Sequence, residues 1–195
     1  MDISVSINEA LRYAGKRKSI ECDELTLSKF NRFASEVVLD SQPVFSARVL
    51  DVAVSENKFI IEQSKDVFES AALSKHLLLC KKALIFSATL GIEVDRKTAR
   101  LSVSSMEDAL IYDACATALT EDYCDKICED FERRYGKLTS RFSPGYSDLA
   151  ISYQTTFLAL TDAARKAGIN MNPSYLLSPM KSVTAIAGII EGGEK

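Results

Sequence analysis

The order of hydrophobic and polar positions divides this chain into helical and extended segments of ordinary length. Apolar runs and strict alternation predict strands over residues 3–7, 44–54, 58–61, 82–89 and 182–190, the second and third joined as a hairpin. Apolar residues at spacings of three and four predict a short helix after Ser6 and longer helices over residues 26–39, 67–79, 105–134 and 151–166. Helices and strands mix without a regular βαβ rhythm, which favours an α+β fold. No linker interrupts the pattern, so a single domain over residues 1–195 is the simplest interpretation.

The predicted helix over residues 105–134 is the longest element and has two neighbouring apolar stripes. One stripe is largely aromatic and aliphatic, and the other is made mostly of small residues, so this helix should contact protein on more than one side. Ser105 and Asp108 have the spacing of a capping pair at its start. Glu121 falls within the small-residue stripe. Its carboxylate is either at the edge of the packed face or held inside it for a polar role, and the edge position is favoured.

Composition excludes some classes of partner. The 24 basic and 27 acidic side chains leave a formal net charge of -3, which gives no long-range attraction to nucleic acid or to an anionic membrane. No basic segment followed by an apolar core opens the chain, and no apolar run approaches the roughly 20 residues that span a bilayer. The five cysteines lack framework spacing and fit reduced thiols. We therefore expect a cytoplasmic protein that binds neither nucleic acid nor membrane.

Several common chemistries lack the residues they need. No Gly-x-Gly-x-x-Gly follows a predicted strand, and no Gly-Lys-Ser/Thr loop is present to cradle nucleotide phosphates. His76 is the only histidine, which excludes multi-histidine metal sites and favours a role in capping or packing a helix. Cys124 and Cys128 share one helical face and could hold a soft metal. Two further ligands of a closed zinc site are not visible, so buried structural thiols are the better interpretation.

The most distinctive segment is a hexapeptide at residues 141–146, with the sequence Arg-Phe-Ser-Pro-Gly-Tyr. Pro144 fixes its own φ, and Gly145 allows a close approach of the backbone to a ligand. Tyr146 offers an aromatic face with a polar tip, and Arg141 adds a planar donor fork suited to a carboxylate. Taken alone, the segment is better explained as a type II turn with Pro144 and Gly145 at its central positions.

Four blocks, of which the hexapeptide is the last, resemble the reactivation domain of cobalamin-dependent methionine synthase in its shorter, free-standing form, and they occur in the same order. The blocks are residues 11–13 (Leu-Arg-Tyr), 88–95 (Ala-Thr-Leu-Gly-Ile-Glu-Val-Asp), 109–114 (Ala-Leu-Ile-Tyr-Asp-Ala) and the hexapeptide, with a weaker fifth at 182–184 (Ser-Val-Thr). Together they span most of the chain, and the hexapeptide is the most specific of them. The resemblance implies a mixed, largely antiparallel sheet with a long central helix and flanking helices.

The resemblance also implies a function. Domains of this family bind S-adenosylmethionine and present its methyl group to a cobalamin that has become cob(II)alamin, while an electron donor such as a flavodoxin or ferredoxin supplies one electron. The implied ligand contacts are Arg141 at the methionyl carboxylate, Ser143, Pro144, Gly145 and Tyr146 around the same ligand, and Glu121 where the family helix carries an acidic residue. This chain has no Asp-x-His-x-x-Gly segment. The cobalamin is therefore expected on a partner, methionine synthase or another corrinoid protein.

Two segments depart from the family pattern. Long methionine synthases have tyrosines near the ligand after the last block, whereas residues 185–188 here are Ala-Ile-Ala-Gly and carry no ring. Ser147, Asp148 and Leu149 replace the acidic and histidine residues that follow the glycine-tyrosine pair. An alternative function therefore stays open: a non-catalytic module that docks on a corrinoid protein and controls access to cobalt without using S-adenosylmethionine.

Overall fold

A computed structural model of the protein describes residues 1–16 and 23–190. The described residues form two compact units. The first comprises residues 1–44, 89–126 and 179–182, and the second comprises residues 45–88, 127–178 and 183 onward. The single domain over residues 1–195 stays a prediction.

The secondary structure follows an irregular order of helices and strands. The helices are α1 (Ile7–Tyr13), α2 (Glu24–Asp40), α3 (Ala71–His76), α4 (Ile92–Ser104), α5 (Met106–Tyr135), α6 (Gln154–Thr161) and α7 (Ala163–Ala167). The strands are β1 (Val44–Val54), β2 (Lys58–Ile61), β3 (Asp66–Glu69), β4 (Cys80–Thr89), β5 (Asn170–Met171), β6 (Leu177–Ser178) and β7 (Ser182–Ile190). Most predicted elements are confirmed to within two residues at each end.

The first unit is helical and is built around the apolar face of α2. Phe30, Phe33 and Val37 are fully or almost fully buried and recur at helical spacing, which explains why this segment forms an amphipathic helix. Phe33 meets the ring of Tyr112 edge-on, with 5.8 Å between ring centroids. The Tyr112 hydroxyl donates a hydrogen bond to the Asp40 carboxylate at 2.8 Å, so the polar end of this buried ring is satisfied.

The second unit contains a five-stranded sheet in the order β3-β2-β1-β4-β7. Strands β1, β2 and β3 form consecutive antiparallel pairs, the first in the register Val52 with Ile61 and the second in the register Phe59 with Phe68. The alternation of exposed and buried residues in β2 places Phe59 and Ile61 on the covered face. The apolar core of this unit is formed by Leu50, Val52, Phe59, Ile61, Phe68, Leu73, Leu77, Ala83, Ile85, Phe142, Leu149, Phe157 and Ile186.

Helix α5 begins as its sequence predicts. The Asp108 N–H donates to the Ser105 hydroxyl at 3.2 Å, which caps the helix. Both stripes of α5 are buried, as Tyr112 and Leu119 show for the large-residue stripe and Ala114 shows for the small-residue stripe. The helix therefore contacts protein on more than one side. Glu121 is partly buried, in agreement with a position at the edge of the packed face.

Three predicted elements differ from the structure, and one helix was not predicted. Residues 3–7 form no strand, because Ser6 instead caps α1 by accepting the Glu9 N–H. The predicted helix over residues 67–79 begins as strand β3, and only α3 within it is helical. The predicted helix over residues 151–166 is a 3-10 turn followed by α6 and α7, interrupted where Asp162 adopts φ +55°. Helix α4 follows Gly91 directly and was not expected.

Candidate functional site

The hexapeptide at residues 141–146 forms an ordered turn in the second unit. The Tyr146 N–H donates to the Ser143 carbonyl at 3.1 Å, and Gly145 has φ +89°, which together define a type II turn with Pro144 at its second position. Pro144 is buried, whereas Tyr146 is 68% exposed. The turn predicted from the sequence is therefore confirmed, and it presents the tyrosine ring to solvent. This ring also meets Phe142 edge-on, with 5.3 Å between centroids.

The chain enters this turn alongside β7. Phe142 and Ile186 exchange two backbone hydrogen bonds of 2.8 Å, and the Thr139 N–H donates to the Gly188 carbonyl at 2.8 Å. Two residues, Ser140 and Arg141, therefore lie opposite one residue of β7 between these contacts. This is the arrangement of a β-bulge, which changes the direction of side chains and is common beside functional sites. Arg141 is partly buried within it.

Helix α3 holds the segments on both sides of the turn. His76, its last residue, bonds through Nε2 to the Ser140 carbonyl at 2.6 Å. At the other end of α3, the Asp148 carboxylate accepts hydrogen bonds from the Ser70 hydroxyl and from the Ala71 N–H, the latter at 2.8 Å. The bond from Ser70 is the main cause that lowers the pKa of Asp148. The hexapeptide is therefore fixed before and after the turn by one short helix.

The six candidate ligand residues are divided between the two units. Arg141, Ser143, Pro144, Gly145 and Tyr146 lie together in the second unit, whereas Glu121 lies on α5 in the first. Burial raises the pKa of the Tyr13 phenol, and the negative charge of Glu121 raises it further. Glu121 therefore acts electrostatically on the first block of the family resemblance. The assignment of all six residues to one ligand site stays a prediction.

A separate cleft in the first unit was not expected from the sequence. It has a volume of about 210 Å³ and is lined by Tyr13, Ala14, Leu110, Asp113, Ala114 and Thr117. Two blocks of the resemblance, residues 11–13 and 109–114, supply most of these residues, although they are distant in sequence. In the sequence, these two segments are related only because both are blocks of the family resemblance, and no local motif joins them.

Lys181 is a further residue that the sequence did not single out. Its ammonium donates to the Asp113 carboxylate and to the Thr117 hydroxyl, both at 2.9 Å, and its side chain is only 15% exposed. The ion pair connects the residue before β7 to α5 within the first unit. In the sequence, Lys181 is marked only by its position directly before the weak fifth block of the resemblance, at residues 182–184.

Neither a metal-binding cluster nor a membrane-spanning helix is found among the described residues. Within residues 1–16 and 23–190, no group of three or more His, Cys, Asp or Glu side chains is arranged to hold a metal ion. Cys124 is buried, Cys128 is partly buried, and neither forms a disulfide. None of the helices in these ranges is long and apolar enough to cross a bilayer.

Neither family models nor curated proteins give a match to this chain. Among solved structures, the chain is similar to the crystal structure of the MetH reactivation domain bound to AdoHcy. The TM-score is 0.66 at 14% sequence identity, and the similarity covers 95% of this chain and 73% of that chain. At this identity the similarity shows the fold alone. It confirms the α+β fold with an antiparallel five-stranded sheet and a long helix that the family resemblance implied.

Proposed function

We propose that this protein binds S-adenosylmethionine and supports reductive methylation of cob(II)alamin on a corrinoid protein, with methionine synthase as the first candidate. The observation that carries the proposal is the hexapeptide, an ordered turn with an arginine in the bulge before it and an exposed tyrosine at its end. The fold gives independent support, because the similar MetH domain was solved with AdoHcy. AdoHcy is the compound that S-adenosylmethionine becomes when it loses its methyl group.

The chemical groups of the hexapeptide suit this ligand. The Arg141 guanidinium matches the planar geometry of a carboxylate and forms charge-assisted hydrogen bonds with it. Gly145 supplies the positive φ that the turn needs, and because Ile151 fills the space beside its Cα, a ligand contact at this residue would be to the backbone. The Tyr146 ring offers a π face to the sulfonium cation or to the nucleoside. Ser143 and Pro144 shape the turn, and a carboxylate contact from Glu121 to the ligand rests on the family resemblance alone.

The proposed reaction needs little acid or base chemistry from the protein. One electron from a flavodoxin or ferredoxin reduces cob(II)alamin to cob(I)alamin. The cobalt lone pair then forms a bond to the methyl carbon, while the bond between sulfur and this carbon breaks and its electron pair returns to sulfur. The products are methylcobalamin and S-adenosylhomocysteine. The protein contributes orientation, because both reactants are already activated, and the corrinoid partner supplies the cobalamin.

Calorimetric titration with S-adenosylmethionine tests the proposal directly. Wild-type protein should bind saturably, and Arg141→Ala should weaken binding by about 1.5–3 kcal/mol, the usual loss for a charge-assisted contact. Arg165→Ala is the matched control, since Arg165 is an exposed arginine of the same unit whose carboxylate partner is Asp162. Equal affinity of wild-type protein and Arg141→Ala would contradict the proposal.

Mixing with a cobalamin-loaded methionine synthase distinguishes the alternative function. A spectral change to methylcobalamin that requires both S-adenosylmethionine and reductant supports the methyl-transfer function. Formation of a complex without this change would instead indicate the docking module.

A further inference from the structure

The only histidine of the chain has a specific partner that the proposed reaction does not explain. His76 Nε2 lies 2.6 Å from the Ser140 carbonyl oxygen, and the imidazole ring lies against Phe142 with 5.7 Å between centroids. A carbonyl only accepts hydrogen bonds, so Nε2 carries the proton and donates. The contact joins the end of α3 to the residue directly before Arg141.

The bulge explains why this carbonyl accepts hydrogen bonds from side chains rather than from β7. In a regular antiparallel ladder, Ser140 would form the hydrogen-bonded pair with Gly188, two residues from the pair of Phe142 and Ile186. Instead, Thr139 takes this place: its N–H donates to the Gly188 carbonyl, and its hydroxyl accepts the Gly188 N–H at 2.9 Å. The Ser140 carbonyl is thereby released from the ladder, and it accepts hydrogen bonds from His76 Nε2 at 2.6 Å and from the Thr139 hydroxyl at 3.1 Å. Without His76, the bulged conformation loses the shorter of these two bonds, whereas a regular register would give the carbonyl the Gly188 N–H.

We propose that His76 is a positioning residue for Arg141, holding the bulge that sets the direction of the guanidinium. The inference rests on the proposed function and deepens it, because it assigns the geometry of the carboxylate contact to a residue outside the hexapeptide. Phe142 follows Arg141 and is fixed by its own pair with Ile186, so the His76 contact fixes the other side of the same residue. Arg141 is thus held between two anchored neighbours.

Substitutions at position 76 separate this role from simple packing. His76→Phe keeps a ring against Phe142 but removes the donor, whereas in His76→Gln the amide N–H replaces the Nε2–H. Lys75→Ala is the control, because Lys75 is an exposed residue of the same helix. His76→Phe should weaken S-adenosylmethionine binding by about fivefold, the usual size for one lost hydrogen bond. His76→Gln should restore most of the affinity, and Lys75→Ala should match wild type.

Two further measurements show whether His76 acts through Arg141. First, 5′-methylthioadenosine keeps the nucleoside and the methylated sulfur but lacks the amino-acid part with its carboxylate, so its affinity should not respond to His76→Phe. Second, His76→Phe should cause no additional loss of S-adenosylmethionine affinity when Arg141→Ala is already present. Equal weakening of both ligands, or full additivity of the two substitutions, would overturn the inference.

Hydrogen exchange gives a readout that needs no ligand. The backbone amides of residues 139–142 should exchange faster in His76→Phe than in Lys75→Ala, and unchanged exchange would refute the role of His76. If wild-type protein binds no S-adenosylmethionine, the proposed function fails, while the exchange comparison still decides whether His76 holds the bulge.

Discussion

Gly188 in β7 gives the sharpest test of how tightly the second unit is packed. A methyl group added at this position would lie 2.4 Å from the Cys80 sulfur, 2.8 Å from Leu77 Cδ2 and 3.1 Å from Cys80 Cβ. Carbon atoms normally separate to about 3.5–4.0 Å at optimal contact. The sulfur would therefore have to move by more than an ångström, and the Cβ of Cys80, which is fixed to the backbone, limits that movement.

These distances set the expected cost of Gly188→Ala. Overpacking of a filled core usually costs about 1–3 kcal/mol, and with three close contacts we expect the upper half of this range. Cys80→Ala removes the atom in closest contact and should alone cost about 1 kcal/mol through lost burial. Because the two substitutions share this contact, the double variant should be more stable than additivity predicts, by about 1–2 kcal/mol.

Urea unfolding of wild type, Gly188→Ala, Cys80→Ala and the double variant measures this coupling. Gly168→Ala is the control for adding a methyl group without a steric clash, because a Cβ at Gly168 would meet no atom within 4 Å. The φ of +66° at Gly168 still costs Gly168→Ala about 1 kcal/mol, so the loss of stability in Gly188→Ala must exceed this value. A Gly188→Ala protein as stable as wild type, or strict additivity with Cys80→Ala, would refute the packing argument.

Two further substitutions test the hexapeptide turn and the core of the first unit. Gly145→Ala should cost about 1–2 kcal/mol in urea unfolding, because Gly145 has φ +89° and the new methyl group would lie 2.9 Å from Ile151 Cδ1; wild-type stability would contradict the turn geometry. Tyr112→Phe should cost about 1–2 kcal/mol at pH 7 through loss of the hydrogen bond to Asp40. Burial raises the pKa of Tyr112, so this stabilisation is present below the unfolded-state pKa of about 10 and is lost as pH rises above it. Stability measured from pH 8 to 11 should therefore fall less steeply in Tyr112→Phe, and identical slopes would count against this reasoning.

Local signals made part of the fold predictable from the sequence. The capping pairs at Ser6 and Ser105 depend on residues three positions apart, and both pairs form the expected hydrogen bond. The turn at Pro144 and Gly145 likewise depends on the φ preferences of these two residues. The ligand role proposed for the hexapeptide rests on the family resemblance, since its local sequence alone indicates a turn.

The elements that the sequence mispredicted depend on distant partners. The Thr161 carbonyl would accept a hydrogen bond from residue 165 in a continuous helix, but the Ser46 hydroxyl donates to it instead. The Thr161 hydroxyl also bonds to Ser87 at 2.7 Å, and the next residue, Asp162, leaves the helical conformation. These partners lie on β1 and β4, far from α6 in sequence. Helical periodicity over residues 151–166 therefore predicted one helix where two form.

The sole histidine also has a partner that is distant in sequence. The sequence predicted that His76 caps or packs a helix, and it does contact Phe142. Its hydrogen bond to Ser140 depends on the bulge, and the bulge depends on how residues 137–142 pair with β7. No spacing within the sequence encodes a contact of this kind, so the arginine was predicted but the residue that holds its backbone was not.

One residue in each of the two segments that depart from the family pattern has a structural role in the second unit. The space beside Gly188 is taken by Cys80 and Leu77, so an aromatic side chain at this position of β7 would clash with them. Asp148, which lies among the replaced residues after the turn, anchors that side of it to the start of α3. Gly188 and Asp148 therefore each have a role in folding this chain. In the proposed function, the aromatic contact with the donor falls to Tyr146, the exposed ring at the end of the turn.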